Sequence, residues 1–97
     1  MAKSKAELRE DFDAFIKKHG GKYKEWCFGT SDNPRAALFN VHKFKTSDRG
    51  LYRQAANELQ AAEVAEFFTD FGAKGDNSFK RGATYVYAYK IAPHTKP

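Results

Sequence analysis

The chain has 97 residues and one cysteine, and 17 Lys+Arg against 12 Asp+Glu give it a net charge of +5. That length suits one domain over residues 1–97 and is too short for two separate cores. A lone Cys27 rules out an internal disulfide, and no stretch approaches the roughly 20 apolar residues of a membrane span.

Met1-Ala2-Lys3-Ser4-Lys5 has no apolar run behind its charges, so no secretory leader is expected there. With the free thiol, this makes a cytoplasmic protein the expectation. Ser4 then stands three residues before Glu7, the spacing of a capping box. Leu8, Phe12, Phe15 and Ile16 recur at helical spacing, and Gly20-Gly21 ends the segment, so a helix is predicted over 4–19. Residues 24–30 read as a short strand of bulky side chains. Asn33 and Pro34 open a second predicted helix with Ala37, Leu38, Val41 and Phe44 on one face, ending near Lys45.

Leu51 to Ala55 form a second predicted strand. Asn57 caps a third helix whose buried stripe is predicted as Ala61, Val64, Ala65, Phe68 and Phe71, with Gly72 as its stop. Residues 72–82 read as a loop. From Thr84 to Ile91 the pattern alternates strictly, with Tyr85, Tyr87 and Tyr89 on one face and Thr84, Val86, Ala88 and Lys90 on the other. Pro93 ends this strand, and the tail 92–97 is expected to be loose. The order α-β-α-β-α-β predicts an α/β (α+β) domain, a small, mainly antiparallel three-stranded sheet packed with about three helices. Nine Phe and five Tyr predict a core of ring contacts.

The run from Trp26 to Phe39 resembles the second half of a GIY-YIG nuclease domain. In that family a strand ending in a Tyr-aliphatic-Gly tripeptide passes through a polar turn into a helix with an Arg-apolar pair. Here Cys27-Phe28-Gly29 and Ala37-Leu38 occupy those places, and the resemblance extends over residues 24–72. It implies a three-stranded antiparallel sheet. The family's first strand should precede this one, so the resemblance also implies a permuted domain in which Tyr85-Val86-Tyr87 fills that slot. The family cleaves DNA with tyrosines, an arginine and a metal-binding glutamate. Cys27, Ala37 and Ala65 stand at three of those positions. Arg35 cannot replace the arginine, because two residues along a helix turn a side chain by about 200°. Glu63 and Glu66 point away from position 65 for a similar reason. With several charge-stabilising groups missing together, the resemblance implies an inactive scaffold.

Other constellations are weaker. His19, His42 and His94 lie far apart and near no ligand-spaced partner, so neither metal nor cofactor is expected. Gly72-Ala73-Lys74-Gly75 lacks the Gly-Lys-Ser/Thr ending of a phosphate loop. The tyrosine ladder has two readings. Tyr85, Tyr87 and Tyr89 stack bases while Lys43, Lys45, Lys80, Arg81 and Lys90 track phosphates, or the tyrosines pack under helices. The packing reading is preferred. The expected function is a non-catalytic binding module with weak affinity for DNA or RNA. The alternative is a protein-protein interaction domain or homodimer.

Overall fold

A computed structural model describes residues 4–34, 50–75 and 81–91. Helix α1 runs Lys5–Lys18 and starts where the sequence requires: the Ser4 hydroxyl accepts from the Glu7 N–H, and the Glu7 carboxylate accepts from the Ser4 N–H. It ends in a Schellman turn in which the Gly21 N–H reaches back to the Ile16 carbonyl at 2.8 Å. That turn needs a left-handed residue, and Gly20 supplies it with φ 116°. Leu8, Phe12 and Ile16 are fully buried.

After a 3-10 turn over Tyr23–Glu25, strand β1 covers Trp26–Ser31. Strand β2 is Gly50–Gln54, helix α2 is Glu58–Asp70, strand β3 is Lys74–Gly75 and strand β4 is Tyr85–Lys90. The Asn57 side chain accepts from the Gln60 N–H at 2.9 Å and caps α2. The far end of α2 repeats the turn seen after α1, with the Ala73 N–H on the Phe68 carbonyl and Gly72 at φ 109°.

The sheet order is β2-β4-β1-β3. β4 lies antiparallel to both β1 and β2, with Gly29 opposite Tyr87 and Tyr52 opposite the same Tyr87. The three-stranded antiparallel sheet expected from sequence is therefore present, with β4 between β1 and β2. A fourth strand had not been expected. β3 pairs parallel to β1 at only two positions, Cys27 with Lys74 and Phe28 with Gly75, inside what reads as a loop. A Cβ at Gly75 would overlap the Phe28 carbonyl oxygen, so only glycine permits this approach.

Both helices cover one face of the sheet. Trp26, Phe28, Val86 and Ala88 from the strands meet Leu8, Phe12 and Ile16 from α1 and Ala61, Val64, Ala65 and Phe68 from α2. At its centre Phe28 stacks on Phe68 with centroids 4.5 Å apart and planes 10° from parallel, and Phe12 tilts against both. The core is made of rings, as the composition implies. Phe71 departs from expectation: it sits at the C-cap of α2, 60% exposed, and Ala62 joins the buried stripe instead. Residues 35–45 of the predicted second helix and the tail 92–97 lie outside the described residues, within which there are two α-helices.

Candidate nucleic-acid interface

Alternation along β1 and β4 puts Cys27, Gly29, Tyr85, Tyr87 and Tyr89 on the sheet face opposite the helices. Tyr89 is fully buried and Tyr87 is 5% exposed. The Tyr87 phenol lies across Gly29, where a Cβ would collide with it, so the glycine makes room for the ring. Tyr89 and Cys27 form a buried cluster with Tyr87, and the Cys27 thiol and Tyr89 hydroxyl are hydrogen-bonded. Burial pushes the Cys27 thiol up, against a smaller opposing pull from the Tyr89 hydrogen bond. Burial also raises Tyr89, so both groups stay neutral at physiological pH. The base-stacking reading of the ladder does not hold for these two tyrosines, because their ring faces are inaccessible.

Tyr85 is half-buried and packs edge-on against the exposed Tyr52, with centroids 6.1 Å apart. Arg81 is exposed in the turn before β4 and is one of the influences that lower the Glu58 carboxyl; the larger ones are hydrogen bonds from the Glu58 and Gly82 N–H groups. Lys90 sits at the other end of β4, five residues from Tyr85 and so about 17 Å away along the strand. Its Nζ donates to the His19 carbonyl at 3.2 Å and lies 3.7 Å from a Glu25 oxygen, which ties the C-terminal end of α1 to the sheet. Tyr85 and Lys90 are therefore not one site. Lys43, Lys45 and Lys80 lie outside the described residues.

What the structure does bring together is a set that sequence spacing does not show. Lys24, Lys74 and Lys90, with Glu25 and Ile91, line a groove of about 390 Å³ where β1, β3 and β4 meet. Lys24 comes from the turn before β1, Lys74 from β3 and Lys90 from the end of β4. Lys24 and Lys74 are exposed. Three ammonium groups against one carboxylate, itself beside Lys90, leave this groove cationic. Basic and acidic side chains are equal in number across the described residues, so the +5 of the whole chain falls on the remainder.

The positions matched to nuclease chemistry do not converge. Cys27 lies among the tyrosines, whereas Ala65 is fully buried on the opposite face with Phe28 and Phe68. Glu63 and Glu66 are exposed on α2, and Glu63 pairs with Lys5 at 3.4 Å. Ala37 lies outside the described residues. Among the described residues no group of three or more His, Cys, Asp or Glu is placed to hold a metal ion, and no helix is long and apolar enough to cross a membrane. Compared with known proteins, the chain matches no family model, no curated protein and no solved structure.

Proposed function

We propose that this chain is a non-catalytic binding module, resembling a degenerate and permuted GIY-YIG domain, that contacts DNA or RNA weakly through its phosphates. The observation that carries the binding part is the groove of Lys24, Lys74 and Lys90, three cations from separate elements around one cavity. Phosphate contacts of this kind position a strand without reading its sequence. The non-catalytic part is supported by Cys27 and Ala65, which lie buried on opposite faces, where neither an enclosed neutral thiol nor a methyl group supplies a charge for a phosphate.

The lysines differ in what they have left to give. Lys90 already serves the His19 carbonyl and Glu25. Lys24 and Lys74 have no ion pair among the described residues and are the free cations of the groove. A labelled oligonucleotide titrated by anisotropy tests the reading. Phosphate contacts by these two free lysines predict an affinity for duplex DNA that falls about 12-fold between 50 and 200 mM salt. Lys24→Glu with Lys74→Glu should abolish binding and leave the fold intact. Salt-insensitive binding, or binding unchanged in that double variant, rejects the reading.

A further inference from the structure

On the side of the molecule formed by the two helices there is a second groove of different chemistry. Arg9, Glu10, Asp13, Tyr23, Phe67 and Phe71 line a cleft of about 230 Å³ between α1, the turn before β1 and the end of α2. Its wall is aromatic and held in place. Phe71 contacts Phe67 at 4.9 Å and Tyr23 at 5.9 Å between centroids, the Tyr23 hydroxyl donates to Asp13, and the Arg9 guanidinium lies 4.4 Å above the Phe67 ring. Phe71 is 60% exposed and Leu59, on the same helix, is 58% exposed. These are the two most exposed large apolar side chains among the described residues.

The charge around this wall has one sign in excess. α2 carries Glu58, Glu63, Glu66 and Asp70 and no basic residue. Lys5 answers Glu63 and Lys17 answers Asp13, at 3.4 and 2.9 Å. Glu10, Glu66 and Asp70 have no ion pair among the described residues, and Arg9 is the one cation among the residues that line the cleft. Phosphates would be repelled here.

From this charge and shape we infer that the α1–α2 groove docks a basic segment of a partner protein, which sets a large apolar side chain against Phe67 and Phe71 while its lysines or arginines meet Glu10, Glu66 and Asp70. The rigid aromatic wall supplies the anchor contact at little ordering cost. The surrounding carboxylates select the sign of the partner and speed its approach. This site is separate from the lysine groove and does not depend on nucleic-acid binding.

The test uses the full chain, isotope-labelled, and three blocked twelve-residue peptides: lysine-rich with a central Phe, the same with Ala in its place, and glutamate-rich with a central Phe. The first should saturate below about 1 mM, with amide shifts gathered at Arg9, Asp13, Tyr23, Phe67 and Phe71. The second and third should bind at least fivefold more weakly. Phe71→Ala should weaken the first peptide by at least fivefold, and Asp70→Lys with Glu66→Lys, surface changes that leave the packing untouched, by a similar factor. Equal binding of the acidic peptide, affinity unchanged in both variants, or shifts absent from the groove would overturn the inference. So would sedimentation showing a dimer that Phe71→Ala dissolves, since the occupant would then be a second copy.

Discussion

The two faces of the sheet are both buried, but by different chemistry. The helical face is a packing of bare rings and small apolar side chains, with Phe12, Phe28 and Phe68 at its centre. The opposite face buries Cys27, Tyr87 and Tyr89, whose polar atoms must find partners once water is excluded. The first face draws its stability from area and fit, and the second adds hydrogen bonds that are expensive to break. The contrast also shows why an alternating tyrosine strand is poor evidence for a stacking platform. The same pattern makes a second core.

Changes on each face can break or sharpen this contrast. The largest expected effect is chemical. Cys27 is buried and its thiol is held above its usual range, so labelling by a thiol reagent should be at least about a thousandfold slower in the native chain than in denaturant. Labelling at a comparable rate would mean that the tyrosine face opens to solvent. Next, Phe68→Ala removes a stacked, fully buried ring and should cost about 3–5 kcal/mol in denaturant unfolding. Loss of less than 1 kcal/mol would show that the ring cluster does not hold the helices to the sheet.

Two conservative changes separate the faces directly. Tyr89→Phe keeps the ring and deletes the hydroxyl bonded to Cys27, so it should cost about 1 kcal/mol. Thr30→Val does the opposite on the helical face. Among the described residues the buried Thr30 hydroxyl has no hydrogen-bond partner, so replacing it with a methyl should be neutral or stabilise by up to about 1 kcal/mol. If both variants shift the midpoint in the same direction, the distinction between the faces is wrong.

The smallest effect concerns the rim between α1 and the turn before β1. Hydrogen bonds from Tyr23 and then Lys17 hold the Asp13 carboxyl below its ordinary range. Its contribution is present above the unfolded-state pKa and is lost as pH falls through the lower folded value. The stability gap between the chain and Asp13→Asn should therefore be present at neutral pH and close in acid, small because the side chain is partly exposed. A gap that widened as the pH fell would contradict the assignment.

What the sequence made legible was local. The Ser4–Glu7 box, the Asn57 cap, the glycines after each helix and the alternation of β4 each depend on residues within a few positions of one another. What it hid was non-local. β3 is two residues long and gains strand geometry only by lying parallel to Cys27 and Phe28. The lysine groove depends on that pairing, because Lys24, Lys74 and Lys90 meet only once β3 is in place. Alternation told which tyrosines share a face and could not tell whether the face is covered. Phe71 fits the helical period of the stripe, but the turn at Gly72 makes it a cap and turns it outward.

The central claim, a phosphate-contacting module without cleavage chemistry, is best tested in one tube. The full chain is incubated with labelled DNA and RNA at 50 mM salt with Mg²⁺ or Mn²⁺, then run native and denatured. A retarded band whose nucleic acid is recovered whole is the predicted result. Metal-dependent fragments that disappear with Glu63→Gln or Glu66→Gln, or no retardation at any protein concentration, would contradict it.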